Sequence, residues 1–308
     1  MKPTPCRFSI VTPTLNRAHL LPRLYDSLAQ QTFKDFEWIV ADGGSKDGTS
    51  ELMARWANGP VRVRFISKDG AAKHTAVNLG VAASAGEFVQ IMDSDDIYVP
   101  STFERFWFHW SSIPESERAG FVGVCGLVAD PDGVVVGRKF PSDVLDSDDF
   151  ELQVRYRIIG DEKMSVLRTD VLRQFPFPED LDHFVTEELI WNRIGLRYRT
   201  RFVNEVFAIK EYLADGLTVR VKQLGPENPR GFALVSLEFV RAGRPIPFDL
   251  KVRAYANYLR FSMHAGDTLL HCVGQLPSRA LGALCAPLAW GLYLRDLWRV
   301  QRAKRSAA

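Results

Sequence analysis

The first hundred residues alternate between short apolar runs and segments whose apolar side chains recur at helical spacing. The apolar runs, which are typical of buried strands, are RFSIVTPT, FEWIVAD, VRVRFIS and EFVQIMD. The segment AHLLPRLYDSLAQQ is typical of the helices between them, with Asn16 as its candidate N-cap. This repetition predicts a parallel sheet with helices on both faces, and such sheets bind ligands beyond the carboxyl ends of their strands.

Three polar clusters fall where the predicted strands end, at residues 12–14, 42–45 and 93–96. Each cluster alone has an ordinary structural explanation: DGGSKDGT suits a glycine-rich turn, and DSDD suits a solvated acidic turn before a helix. The carboxyl ends of parallel strands meet at one edge of a sheet, so the three clusters are expected to lie together. That convergence favours a ligand site over three unrelated turns.

The third cluster sets three carboxylates, Asp93, Asp95 and Asp96, within four positions. Carboxylates this close repel one another unless a positive charge offsets the repulsion. Oxygen ligands in this arrangement favour Mg²⁺ or Mn²⁺, which usually keep open positions for substrate phosphates. The chain has no P-loop motif and no G-x-G-x-x-G after its first strand, which argues against those two nucleotide-binding classes. An aspartyl phosphatase would match Asp93 and Asp95 formally, but would leave TPTLNR and DGGSKDGT without a role.

Composition adds a few limits to this picture. The 308 residues, of which 46% are hydrophobic and 25% charged, suit one large domain or one domain with an appendage. The formal net charge of +2 favours no particular partner, and we expect no binding to nucleic acid. The four cysteines lack paired spacing, which fits a reducing compartment, and the N-terminus lacks the apolar stretch of a secretory signal. We therefore expect a cytoplasmic protein.

The segment FSIVTPTLNRAHLLPRLYDSLAQQTFKDFEWIVADGGSKDGT, followed by KHTAVNLGVAASAGEFVQIMDSDD, resembles the family two glycosyltransferases, which are inverting enzymes with the GT-A fold. The resemblance is dense over residues 7–100 and continues more thinly to about residue 220. It implies an α/β fold of the GT-A type: a Rossmann-like, mostly parallel sheet with helices on both faces, here followed by a C-terminal helical region.

The resemblance also implies a division of the chain. We expect a glycosyltransferase domain over residues 1–224, with a nucleotide-binding half at 1–100 and an acceptor half with the catalytic base at 101–224. Residues 225–308 are expected to form the C-terminal helical region. The segment EYLADGLT is a candidate for a mobile loop that closes over the diphosphate, because Gly216 permits a bend.

Roles for single side chains follow from the resemblance. Asp42 stands where the family's aspartate accepts from the uracil imide N–H, and Asp93 and Asp95 fit the Asp-x-Asp that bridges ribose and metal. Lys73 stands where the family often carries a basic residue near the diphosphate, although a solvated lysine at a helix start explains it equally well. The expected nucleotide-sugar contacts are Thr12, Pro13, Thr14, Arg17, Asp42, Gly43, Lys73, Asp93, Ser94 and Asp95. The expected ligands of Mn²⁺ or Mg²⁺ are Asp95 above all, with Asp93 and Asp96.

The catalytic base is expected in TEELIWNR, which resembles the family's segment with an acidic base. When an acceptor hydroxyl attacks an anomeric carbon it must lose its proton, and a carboxylate within hydrogen-bond reach can take it. Counting back from Arg193, Glu187 falls at the position of the family's catalytic aspartate. Glu188 is the alternative, and only one of the two can face the sugar, because helical neighbours point about 100° apart. The alternative is that TEELIWNR has no catalytic role and is a solvated helix start with Thr186 as its N-cap.

The end of the chain has a pattern of its own. Residues 280–294 carry no charge, but at ~1.5 Å per residue they reach about 22 Å, short of the ~30 Å hydrocarbon core, so we expect no transmembrane span. Trp290, Leu294, Leu297 and Trp298 share one helical face beside an excess of arginine and lysine. This pattern predicts either a helix on an anionic membrane surface, which would make the protein peripheral on the inner membrane face, or a helix packed on the protein or in a homo-oligomer.

Together these observations predict a metal-dependent, inverting glycosyltransferase of polysaccharide biosynthesis. It would move a sugar from a nucleotide sugar, with UDP as the expected nucleotide, to a hydroxyl of a glycan or lipid-linked acceptor. Two alternatives stay open. A nucleotidyltransferase would normally show a first loop rich in glycine and arginine, which TPTLNR is not, and a non-catalytic nucleotide-sugar-binding protein would need no base.

Overall fold

The computed structural model describes residues 4–212 and 221–307, apart from the side chains of residues 221–223, 300, 301 and 303–307. Most of the predicted mobile loop EYLADGLT lies outside these residues. The chain divides into two units, one of residues 1–177 and 193–213 and one of residues 178–192 and 214–308. Residues 178–192 thus group with the C-terminal residues, and the predicted functional boundary at residue 224 stays a prediction.

One mixed sheet organises the first unit. Its strands are β1 (Cys6–Thr14), β2 (Phe36–Asp42), β3 (Val63–Ser67), β4 (Gly86–Ile91), β5 (Asp96–Tyr98), β6 (Phe121–Ala129), β7 (Val144–Ser147), β8 (Lys163–Arg168) and β9 (Arg199–Lys210). They lie in the order β3-β2-β1-β4-β8-β6-β9-β5, and β7 pairs with β9. The strands β3, β2, β1 and β4 are parallel, as predicted, whereas β8 runs antiparallel to both β4 and β6.

The helices of the first unit connect these strands. They are α1 (Leu21–Ala29), α2 (Thr49–Trp56), α3 (Lys73–Ala83), α4 (Thr102–Ser111), α5 (Asp149–Val154) and α6 (Thr169–Leu172). All seven residues of β2 are buried, as expected for a strand that helices cover on both faces. The core beside them is aromatic: the rings of Phe8 and Phe103 stack with their centroids 5.2 Å apart, and Trp38 packs in the same cluster.

The second unit is helical, which confirms the predicted C-terminal helical region. Its helices are α8 (Val221–Glu227), α9 (Pro229–Val240), α10 (Phe248–His264), α11 (Leu269–Gln275) and α12 (Arg279–Ala307), and it also holds the first residues of α7 (Glu188–Gly195). The N-terminus of α9 is capped from within the unit, because the Gly231 N–H donates to Oδ2 of Asp182 at 2.7 Å. Within the described residues, no helix combines the length and the apolar character that crossing a membrane would require.

One predicted helix start is wrong. The first helix begins at Leu21 rather than after Asn16, with Pro22 in its first turn. Asn16 has a φ of 54°, a left-handed conformation that asparagine tolerates better than most residues. Its side chain therefore serves the loop that precedes the helix.

Candidate active site

The three polar clusters lie at the ends of three neighbouring strands. Thr14, the last residue of β1, is in register with Asp42, the last residue of β2. On the other side of β1, Val11 is in register with Ile91, where β4 ends, and the Met92 N–H donates to the carbonyl of Val11 at 2.9 Å. The acidic cluster begins one residue later. One edge of the sheet therefore carries all three clusters, as the sequence predicted.

Asp42 holds the loop that follows its own strand. Its Oδ2 accepts from the backbone N–H of Gly44 and of Ser45, both at 2.9 Å, and from the Ser67 hydroxyl at 3.0 Å. Its Oδ1 accepts from the Ser45 hydroxyl. The residue is 3% exposed, so its carboxylate is already enclosed by the loop. The predicted hydrogen bond to a uracil ring stays a prediction, and the observed contacts give Asp42 a role in shaping the loop.

Hydrogen bonds join the loops after β1 and β2. The Asn16 N–H donates to the Ser45 hydroxyl at 2.7 Å, and the side-chain oxygen of Asn16 accepts from the Lys46 N–H at 2.8 Å. Oδ2 of Asp47 accepts from the Ala18 N–H at 2.7 Å. The Gly43 N–H donates to the carbonyl of Thr14 at 2.9 Å. These bonds hold in one arrangement the loops that carry the expected nucleotide contacts.

Of the expected contacts, Thr12, Pro13 and Thr14 form the end of β1, and Arg17 lies in the loop that follows it. Thr12 is fully buried, and its hydroxyl accepts from the indole N–H of Trp38 at 2.9 Å, so it braces the two strands. The Thr14 hydroxyl oxygen is buried without a hydrogen-bond partner among the described residues, which leaves its bonding capacity for a ligand. Nucleotide contacts by these four residues stay predictions.

The acidic cluster gathers the carboxylates of Asp93, Asp95 and Asp96. Each of the three offers an oxygen, and these oxygens all lie within 4.8 Å of one another. Ser94, between the first two, is buried. Lys73, the first residue of α3, forms an ion pair with Asp93 at 2.7 Å between Nζ and Oδ1. Lys73 thus sits beside the cluster, where the positive end of a helix dipole also favours anions.

A second lysine faces the cluster from the opposite strand. Lys210, the last residue of β9, is in register with Asp96 on the antiparallel strand β5. Its Nζ lies 3.1 Å from Oε2 of Glu162. Lys210 is not among the site residues that the sequence predicted. The signal was a lysine that ends the apolar strand RFVNEVFAIK, but nothing local indicated that β9 would pair with β5.

The pKa values of the cluster reflect crowding. Burial, together with the neighbouring Asp93 and Asp95 carboxylates, raises the pKa of Asp96 to about 8 against the opposing pull of Lys210. Burial and the charge of Asp93 also raise the pKa of Asp95. Burial also acts to raise the pKa of Asp93, but the ion pair with Lys73 outweighs burial, and the pKa of Asp93 is lowered. Burial would lower the pKa of Lys210, yet Asp96, Glu162 and Asp93 together raise it.

The groups that meet here do not balance in charge. With all groups ionised, the four carboxylates of the acidic cluster and Glu162 would outnumber the two ammonium groups of Lys73 and Lys210. Oδ1 of Asp96 is buried and has no hydrogen-bond partner among the described residues. A buried polar atom without a partner is costly, and a hard cation would satisfy it. The donor set therefore fits Mg²⁺ or Mn²⁺, with Asp93, Asp95 and Asp96 as the residues that would hold the ion.

Two residues near Lys73 are structural. The Asn78 side chain donates to the carbonyl of Phe177 at 2.8 Å and accepts from the N–H of that residue at 2.9 Å. At Gly80, a Cβ atom would lie 2.3 Å from Cγ1 of Val11, so only glycine permits this close approach of α3 to β1. Both contacts fix α3, and with it Lys73, against the sheet.

The candidate bases Glu187 and Glu188 belong to the second unit. The carbonyl of Glu187 accepts from the N–H groups of Ile190 and Trp191, at 2.9 and 3.1 Å, and Glu188 is the first residue of α7. The Glu187 side chain is half-buried, whereas that of Glu188 is exposed. This difference agrees with the spacing argument for Glu187, and the assignment of the base stays a prediction.

Comparisons with known proteins give a consistent result. Residues 9–136 match the family model "Glycosyl transferase family 2". A PGL/p-HBAD biosynthesis glycosyltransferase of Mycobacterium bovis is 37% identical over 100 residues, which are 32% of this chain and 39% of the relative. The match therefore spans about two fifths of that relative's length.

Solved structures resemble the chain over more of its length. TarS 1–349 of S. aureus, in complex with UDP-GlcNAc, has a TM-score of 0.63 at 17% identity, covering 98% of this chain and 92% of that one. The mannosyltransferase PcManGT of Pyrobaculum calidifontis, in complex with GDP-Man and Mn²⁺, has a TM-score of 0.55 at 19% identity, covering 97% and 85%. At these identities the likeness shows the fold, and it confirms the predicted GT-A type.

Proposed function

Because residues 9–136 match the model of glycosyl transferase family 2, we propose that the chain is a metal-dependent, inverting glycosyltransferase that uses a nucleotide sugar. The acidic cluster is the observation that carries this proposal. Its excess of carboxylates, and the unpartnered Oδ1 of Asp96, suit a divalent cation at the sheet edge where this fold binds its ligands. The complexes of TarS with UDP-GlcNAc and of PcManGT with GDP-Man support a nucleotide sugar as the donor, and we expect a UDP-sugar.

Different residues of the sheet edge would bind different parts of the donor. The joined loops after β1 and β2 would receive the nucleoside, because their hydrogen bonds hold them in place before a ligand arrives. Lys73 would bind the diphosphate, since its ammonium already lies among the carboxylates that would hold the ion. Bound to Asp93, Asp95 and Asp96, Mn²⁺ or Mg²⁺ would supply positive charge that offsets the charge of the departing nucleoside diphosphate.

Glu187 would act on the acceptor. The acceptor oxygen forms a bond to the anomeric carbon from the side opposite the diphosphate, and the bond from that carbon to the diphosphate oxygen breaks with inversion. The hydroxyl proton passes to the carboxylate of Glu187, a half-buried residue directly before α7. The acceptor that we propose is a hydroxyl of a growing surface glycan or its lipid carrier, at the cytoplasmic face of the membrane.

A thermal-shift screen of UDP- and GDP-sugars, with and without Mn²⁺, tests the proposal. A ligand that binds only the folded protein raises its stability by RT ln(1 + [L]/Kd), so a true donor should raise the melting temperature more when Mn²⁺ is present. A donor that raises it equally in EDTA would contradict the metal assignment. Conversion of the donor by wild-type protein but not by Glu187→Gln would separate an enzyme from a non-catalytic binding protein.

A further inference from the structure

The helix α12 is anchored along one side within its own unit. Its residues Cys285 and Ala289 are buried. Asp296 is 2% exposed, and its Oδ2 lies 2.5 Å from Nε of Arg260 and 3.2 Å from Nε2 of His264, both on α10. The ring of Tyr293 packs on that of His264 with centroids 4.6 Å apart. These contacts fix which side of α12 faces the unit.

The remaining surface of α12 carries large apolar side chains in the open. The described residues include fifteen exposed large apolar side chains, and six of these lie on this one helix, with exposed fractions from 37% to 77%. They are Leu284, Leu288, Trp290, Leu294, Leu297 and Trp298. Exposed apolar residues scattered singly are normal, but a group of this kind on one element marks an interaction surface.

The same surface is basic. Asp296 is the single acidic residue between residues 279 and 307, and it is buried against Arg260 and His264 of α10. The arginines Arg295, Arg299 and Arg302 are exposed, and no acidic residue other than the buried Asp296 lies on their helix. At about 100° per residue, the three arginines fill an arc of about 60° beside the arc of about 100° that holds Trp290, Leu294, Leu297 and Trp298. Arg302 lies over the Trp298 ring at 5.3 Å.

We propose that this amphipathic face, the six exposed apolar residues of α12 together with Arg295, Arg299 and Arg302, binds the surface of an anionic lipid bilayer. The tryptophans and leucines would enter the boundary between headgroups and acyl chains, while the arginines bind anionic headgroups. Charge decides between this occupant and a second copy of the chain. A second copy docked through the same face would add three more arginines and no exposed acidic residue of α12 to neutralise them, whereas anionic lipid neutralises the arginines.

The inference goes beyond the proposed activity and deepens it, since docking on a membrane would bring the protein to a lipid-linked acceptor. Membrane binding can be measured without any turnover. If the protein binds vesicles but no nucleotide sugar, the proposed activity fails and the membrane surface stands. If it binds the donor but no vesicle, the membrane surface fails and the proposed activity stands.

The test is co-sedimentation of the full chain with two kinds of vesicle, one of phosphatidylcholine alone and one of phosphatidylcholine and phosphatidylglycerol in equal parts. We expect binding to the anionic vesicles, and weaker binding to them at high salt, because salt screens the arginines. The double variant Arg295→Gln with Arg299→Gln should bind about 30-fold more weakly, from the usual contribution of two cations near an anionic surface. Both side chains are exposed, so this variant should fold as the wild type does.

The apolar half of the face is tested separately. Trp290→Ala with Trp298→Ala should weaken vesicle binding by roughly 10- to 100-fold. Phe248→Ala is the matched control, because Phe248 is an aromatic residue of the same unit that is 72% exposed at the start of α10, outside the amphipathic face. This control should bind vesicles like the wild type, and all variants should keep the thermal shift with donor.

Several results would overturn the proposal. Wild-type protein that ignores anionic vesicles, or that binds neutral vesicles equally well, has no such surface. Equal losses in Phe248→Ala and in the tryptophan variant would mean that the face has no special role. Light scattering that shows a dimer, which the tryptophan variant dissociates in the absence of lipid, would assign the face to contact between copies.

Discussion

Two carboxylate centres in this molecule, one buried at Asp296 and one half-buried at the acidic cluster, differ in how their charge is balanced. In the second unit, Asp296 meets Arg260 and His264, so the carboxylate has its partners within the protein. In the first unit, the three aspartates of the acidic cluster and Glu162 meet two lysines, and one buried oxygen of Asp96 has no hydrogen-bond partner among the described residues. The comparison teaches that burial of an acid does not by itself mark a site. The mark is negative charge left over after the partners within the protein are counted.

Asp95→Asn should have the largest effect on the proposed reaction. The substitution removes one anionic ligand, and turnover should fall at least about 10³-fold, since the metal contributes several kcal/mol of charge stabilisation. The protein without metal should melt at the same temperature or higher, because burial and Asp93 already disfavour the charged form of Asp95. Melting curves in EDTA and donor turnover check the two outcomes together. Retained activity would exclude Asp95 as an essential metal ligand, and an unfolded variant would make it a structural residue.

Glu187→Gln should lower turnover by roughly 10²–10⁴-fold, the usual contribution of a positioned base, with donor affinity nearly unchanged. Glu188→Gln is the matched control, because it is the adjacent glutamate and its side chain is exposed. Single-turnover kinetics and donor titrations on both variants provide the measurement. If Glu188→Gln is the inactive variant, the base lies one residue further along the chain.

Asp296→Asn tests the balanced centre. Removing one charge of a buried pair leaves Arg260 without its partner, so the free energy of unfolding should fall by about 3 kcal/mol. Donor and Mn²⁺ affinity should stay unchanged, in contrast to Asp95→Asn. Urea unfolding and titration with donor and Mn²⁺ distinguish the effects of Asp296→Asn from those of Asp95→Asn. Loss of Mn²⁺ binding without loss of stability would remove the distinction that we draw between the centres.

Lys210→Met should change the Mn²⁺ affinity of the acidic cluster in the opposite direction from Asp95→Asn. The lysine competes with a divalent cation for the charge of Asp96, so its loss should tighten Mn²⁺ binding about tenfold in the absence of nucleotide, from roughly 1.4 kcal/mol of lost competition. Lys163→Met is the control, because Lys163 lies 3.7 Å from the carboxylate of Asp149, outside the cluster. It should leave Mn²⁺ affinity unchanged. Weaker Mn²⁺ binding in Lys210→Met would instead make Lys210 a support of the site.

The smallest expected effect is a pH dependence of the balanced centre. Burial lowers the pKa of His264 despite the nearby Asp296, while Arg260 acts in the same direction as burial. The unfolded chain therefore takes up the proton at a higher pH than the folded protein does. Stability should be present above the ordinary histidine pKa of about 6.5 and decline as the pH falls below it. His264→Gln should remove this decline, as melting temperatures across that range would reveal, and an unchanged slope would exclude His264 as its source.

Local pattern predicted much of the first unit. The apolar runs that became β1, β2, β3 and β4 carry their own signal, and parallel pairing brings their polar ends together without further information. The family resemblance then predicted that Asp93, Asp95 and Asp96 hold a metal ion together, and the structure does bring their oxygens together. The predicted type of fold is confirmed by its structural neighbours.

What the sequence missed depends on contacts between distant segments. Lys210 joins the acidic cluster because β9 pairs with β5, more than a hundred residues earlier in the chain. Asp296 reads as one acid among exposed arginines, but α10 supplies Arg260 and His264 and buries it. Asn16 matches the residue preference of an N-cap, but its hydrogen bonds to Ser45 and Lys46 hold it in the loop instead. Local residue preferences do not reveal these distant partners.

The most direct test of the central claim is a titration of the protein with Mn²⁺, followed by electron paramagnetic resonance of the free ion. If the surplus charge of the acidic cluster marks a cation site, wild-type protein should bind Mn²⁺ at a single strong site, and UDP should tighten the binding. Asp95→Asn should lose that site, and Asp296→Asn should keep it. Equal Mn²⁺ binding by wild type and Asp95→Asn, or none by either in the presence of UDP, would contradict the account.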